Sequence, residues 1–78
     1  MIEYCYFNIP FYPDLISFNE LEEMISGIHY DVANSEMTNK NIEYCNWIES
    51  EEKLCVYFSS SLSTEDKNLL DTIVFNNS

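Results

Sequence analysis

Two runs of alternating side chains, Ile42 to Glu49 and Lys53 to Ser60, flank the short polar stretch Ser50-Glu51-Glu52, and this pattern constrains the fold more than any other feature of the chain. A period of two is the signature of a half-buried strand, and a brief polar break between two such runs predicts a β-hairpin. Strict alternation places Leu54, Val56 and Phe58 on one face, with Ile42, Tyr44 and Ile48 as partners across the ladder, and Cys45, Trp47, Cys55 and Tyr57 on the other. Both faces are then partly apolar.

The remaining segments supply one more strand and two helices. Residues 2–9 are β-branched and aromatic and run into Pro10 and Pro13, which predicts a strand followed by an irregular loop. A helix follows, capped by Ser17 or Asn19, with Glu20, Glu22 and Glu23 near its positive end and Phe18, Leu21, Met24, Ile25 and Ile28 at helical spacing. Gly27, the only glycine, stands where a left-handed C′ residue would end that helix. Residues 29–41 are mostly polar and read as a connector. A last helix begins at Ser63, whose hydroxyl can cap the N–H groups near Glu65 and Asp66, and Leu62, Leu69, Leu70, Ile73 and Val74 line one side of it. Asn76 to Ser78 read as a frayed end. The expected architecture is α+β: one domain over 1–78, in the order β-α-β-β-α, with two helices on one face of a three-stranded sheet.

Fourteen carboxylates against three lysines and no arginine give a formal net charge of −11. Self-repulsion at that density opposes compaction, and the 46% of apolar residues, with five Phe, six Tyr and one Trp, must offset it. An acidic disordered segment would be poor in aromatics and rich in Pro and Gly, unlike this chain. A chain of this size buries a modest core, so support from a partner or from self-association is expected. The anionic surface excludes direct nucleic-acid and anionic-membrane binding and favours a protein partner of basic character. The N-terminus has neither the basic nor the apolar region of a targeting signal, and no apolar run is long enough to span a bilayer. Cys5, Cys45 and Cys55 are odd in number and widely spaced, which predicts free thiols in a reducing compartment; the alternative is a cross-strand Cys45–Cys55 bridge.

Catalytic readings lack their residues. His29 is the only histidine and has no nucleophile placed beside it in sequence. Cys5, Cys45, Cys55 and His29 lack the close pairs that zinc sites use, and there is no Gly-rich phosphate loop or calcium loop. The acid pairs Glu22-Glu23, Glu51-Glu52 and Glu65-Asp66 are adjacent residues that do not converge on one point, and two pairs lie at helix starts, where acids complement the dipole. The expectation is therefore no enzyme, no cofactor and no metal. A sheet face presenting Trp47 and Tyr57, rimmed by Glu49, Glu51 and Glu52 at the hairpin tip, has the composition of a protein contact. The competing reading makes Trp47 a core residue covered by the connector.

The segment from Val56 to Val74, Val-Tyr-Phe-Ser-Ser-Ser-Leu-Ser-Thr-Glu-Asp-Lys-Asn-Leu-Leu-Asp-Thr-Ile-Val, resembles a strand-turn-helix pattern found in small proteins and terminal modules of phages and other large DNA viruses. The upstream Glu20-Leu21 helix through Ser26-Gly27-Ile28 is similar to the first half of that family. The family closes with a His soon after the Val; here Asn76 and Asn77 follow, so any role of that His does not transfer. The resemblance implies a viral, virion-associated protein, placed in the virion or the host cytoplasm, and assigns no catalytic residue. Two functions then compete: a virion or assembly component docking through its aromatic face, and an anti-host inhibitor whose acids occupy a basic nucleic-acid groove. The second requires carboxylates arrayed at phosphate-like intervals, whereas those here cluster at helix starts and at the hairpin tip.

Overall fold

A computed structural model describes residues 1–7 and 18–78, and the side chain of Phe18 is outside that description. The expected strand end near Pro10, the loop through Pro13 and the cap at Ser17 lie outside the described residues. The elements are β1 (Ile2–Phe7), α1 (Phe18–Ala33), β2 (Ile42–Ile48), β3 (Lys53–Phe58) and α2 (Thr64–Asn77), and the sheet is antiparallel with order β1-β3-β2. The β-α-β-β-α arrangement expected from the sequence is the one observed. No described helix is long and apolar enough to cross a membrane.

β3 is the central strand because it is the most apolar, with Leu54, Cys55, Val56 and Phe58 fully buried. Its helix-facing side chains, Leu54, Val56 and Phe58, meet Met24, Ile28 and Val32 from α1 and Leu70, Ile73 and Val74 from α2. Each fully buried aliphatic or aromatic side chain contributes roughly 1.5–3 kcal/mol. Met37, from the segment read as a polar connector, fills the same core at 2% exposure.

Gly27 does not end α1. It lies inside the helix at an ordinary negative φ, and the helix continues to Ala33 because Val32 extends the buried Met24 and Ile28 row by one more turn. The absence of a side chain at Gly27 admits the amide oxygen of Asn77, the last residue of α2. Asn77 in turn donates from Nδ2 to Asp31 Oδ2 and to the Ile73 carbonyl, each at 2.8 Å, so the C-terminus expected to fray is tied to α1.

The connector after α1 is anchored by Asp66. This carboxylate is only 3% exposed; its Oδ1 accepts the Thr38 N–H at 2.9 Å and its Oδ2 the Asn39 N–H at 3.0 Å. Ser63 caps α2 as expected, its Oγ accepting the Asp66 N–H at 3.1 Å. Opposite, β1 is pinned to α2: the Tyr6 hydroxyl donates to Asp71 at 2.7 Å, and the Tyr4 hydroxyl accepts the Leu62 N–H at 2.7 Å.

Candidate functional site

Both helices occupy one side of the sheet, and among the described residues no element packs on the other. Which side chains occupy that open face is set by an irregularity in β2. The register shifts between Ile42 and Tyr44, so that Ile42 and Glu43 together oppose one step of β3. Ile42 opposes Phe58 on the helix side; beyond the shift, Cys45 opposes Val56 and Trp47 opposes Leu54, also on the helix side. The extra residue, Glu43, is exposed. A one-residue slip reverses every later side chain, and this corrects the sequence-based faces: Trp47 and Cys45 pack against the core cluster, while Tyr44 and Ile48 join Tyr57 on the open side. Trp47 is thus the half-buried core residue of the competing reading.

Three cross-strand rows make up the open face: Glu3, Tyr57 and Tyr44; then Cys5, Cys55 and Asn46; then Phe7, Lys53 and Ile48. Tyr44 and Tyr57 stack with ring centroids 4.3 Å apart and planes 16° from parallel. Loss of solvation, followed by hydrogen bonding to Glu3, pushes the Tyr57 hydroxyl up to about 12. Tyr44 is 45% and Phe7 56% exposed on this face; Tyr30 and Phe75 on the helices are exposed as well. Lys53 Nζ lies 5.7 Å from the centre of the Phe7 ring and 3.4 Å from Glu51 Oε2, so one cation already rests between an aromatic ring and a carboxylate.

In the middle row Cys5 and Cys55 are direct cross-strand partners, 4.1 Å apart at Cα, and their sulfurs are bonded. The expectation of three free thiols is corrected here, as is the alternative Cys45–Cys55 pair: those two residues lie on opposite faces. Cys45 is the free cysteine, and burial pushes its thiol up to about 12. The donor atoms of Glu3, Cys5 and Cys55 all fall within 4.8 Å of one another. No sequence spacing could suggest this trio, since β1 and β3 are fifty positions apart.

Of the residues expected to bind a partner, Tyr57 lies on the open face, Trp47 beneath the sheet, and Glu49, Glu51 and Glu52 in an exposed turn at the hairpin end. Tyr44 and Phe7 belong to the surface and are not singled out by the sequence pattern; a bulge is the reason for the first, and a position at the end of the edge strand β1 for the second. Elsewhere among the described residues, Glu20, Glu23, Met24 and Asn77 line an open depression of about 340 Å³. His29 lies on α1, across the sheet from Cys5 and Cys55.

Comparison with protein-family models, curated proteins and solved structures finds no match to the chain.

Proposed function

We propose that this protein acts without catalysis, by binding a basic protein segment on the open sheet face and the acidic hairpin end beside it. The observation that carries the reading is the Phe7, Tyr44 and Tyr57 surface bordered by Glu3, Glu43, Glu49, Glu51 and Glu52. Each lysine of the chain is internally engaged: Lys53 with Glu51 and Phe7, Lys67 with Asp71, and Lys40 with the Ala33 carbonyl. The carboxylate border therefore has little cationic competition from its own chain. Lys53 over Phe7 is an internal example of the contact a partner's Lys or Arg would make.

The resemblance of the Val56 to Val74 segment to phage modules supports a virion or assembly component as the biological setting. The acid-rich turn supports the second reading, an inhibitor of a basic nucleic-acid-binding protein. Affinity capture from the source cells at low and high salt, with partners identified by mass spectrometry, separates the two. Retention of virion structural proteins at high salt is the expected result; a basic nucleic-acid-binding host protein lost at high salt would shift the assignment to an inhibitor. If the Tyr44→Ala/Tyr57→Ala variant and the Glu49→Gln/Glu51→Gln/Glu52→Gln variant each capture the same partners as the natural chain, neither reading stands.

A further inference from the structure

We propose that Glu3, Cys5 and Cys55 form a site for one Zn²⁺ ion on the open sheet face when the Cys5–Cys55 bond is reduced. The proposal goes beyond the protein-contact reading and does not depend on it.

Three observations converge. The cysteines are directly opposed in the ladder, with Cα atoms 4.1 Å apart, so reduction leaves two thiols on one face with no backbone movement needed to bring them together. Tetrahedral zinc with Zn–S bonds of about 2.3 Å requires sulfurs roughly 3.8 Å apart, a separation that side-chain rotation reaches once the covalent bond is open. The Glu3 carboxylate, two residues before Cys5 and therefore on the same face, already lies within 4.8 Å of both sulfurs. Tyr57 is the cross-strand partner of Glu3 in the ladder, so its hydroxyl stands beside the carboxylate as an outer neighbour. Three protein donors leave a fourth coordination position, which lies toward the exposed Glu3 because Cys55 is fully buried. The chain's third cysteine, Cys45, faces the helices and cannot contribute.

The chemistry balances with a dithiol as reductant. Its thiolate attacks one sulfur of the pair, and its second thiol resolves the mixed disulfide. The Cys5–Cys55 bond breaks, the reductant ends as a disulfide, and two electrons and two protons reach the cysteines. Zn²⁺ then displaces those two protons and is held by two thiolates and one carboxylate. A net charge of −11 favours the approach of a dication to this face.

The test is an anaerobic titration of the reduced full chain with Co²⁺ as a spectroscopic probe, followed by Zn²⁺ displacement. One equivalent of Co²⁺ should develop sulfur-to-cobalt charge-transfer absorption that Zn²⁺ abolishes, with none in the oxidised chain. Cys5→Ser should remove the band and Cys45→Ser should retain it. Glu3→Gln changes an exposed side chain without disturbing packing and should weaken Co²⁺ at least ~10-fold. The proposal is overturned by any of four results: no band in the reduced natural chain, a band that survives Cys5→Ser, a band lost in Cys45→Ser, or unchanged affinity in Glu3→Gln.

Discussion

At Asp66 both carboxylate oxygens are committed to backbone N–H groups of the connector, in a setting that excludes water. Hydrogen bonds to a charged acceptor contribute roughly 1.5–3 kcal/mol each, and their loss strands two donors. Asp66→Ala should therefore lower the unfolding free energy by about 3 kcal/mol, while its exposed neighbour Glu65→Ala stays within about 0.5 kcal/mol; urea titration of both variants checks the contrast. Asp71 behaves differently because its side chain is 40% exposed. Partial burial raises its carboxyl, but hydrogen bonds from Lys67 and Tyr6 and the Lys67 charge outweigh this and hold it below its ordinary 3.8. A depressed folded-state value stabilises the protein above the unfolded-state value and loses that contribution as pH falls through the folded one. Asp71→Asn should thus cost less than about 1 kcal/mol near neutral pH, given solvent screening. The gap to the natural chain should close at strongly acidic pH. A gap that widens with acid would show that the Tyr6 and Lys67 contacts do not set the carboxyl.

Among the elements, the hairpin shows both what sequence pattern specifies and where it stops. Its two strands, to within two residues at their C-terminal ends, and the polar turn are legible from alternation, and the Ser63 cap of α2 is legible from its hydroxyl ahead of Glu65 and Asp66. Alternation could not reveal which step of β2 takes an extra residue, so every side chain after Glu43 was placed on the wrong face, including Trp47. The α1 boundary was missed for another reason: Gly27 looks like a terminator locally, while Val32 and its burial against the sheet are tertiary facts. The Cys5–Cys55 contact joins strands that only the fold makes neighbours. Between the hairpin strands, Glu52 closes the turn in the left-handed region, φ 54° and ψ 48°, with its N–H donating to the Glu49 carbonyl at 3.2 Å. That conformation costs a non-glycine residue about 1 kcal/mol. Glu52→Gly should raise the urea midpoint by an amount corresponding to roughly 0.5–1 kcal/mol, whereas Glu51→Gly, outside the left-handed region, should not. If Glu52→Gly is instead destabilising, the turn does not hold the strained geometry.

For the molecule as a whole, charge and size set the salt dependence of folding. The chain extends 34 × 22 × 18 Å and carries a net charge of −11. At 0.01 M salt the screening length is about 30 Å, comparable with the molecule, so carboxylates on every surface repel one another; at 0.1 M it is about 10 Å and only neighbours interact. The attractive pairs that salt would weaken are few: Lys53–Glu51 and Lys67–Asp71 are the ion pairs among the described residues, each worth at most about 1 kcal/mol. Relief of repulsion should win. The urea midpoint should rise with sodium chloride, steeply between about 0.01 and 0.1 M and little beyond. A midpoint that falls over that range would mean that the two lysine pairs outweigh the fourteen carboxylates. A complex of the inhibitor kind, held by the acidic turn, should respond in the other direction, weakening as the same salt screens attraction, whereas one held by the aromatic side chains should persist. Measured on one preparation, a fold that tightens while its complex loosens would separate the electrostatics of folding from those of recognition.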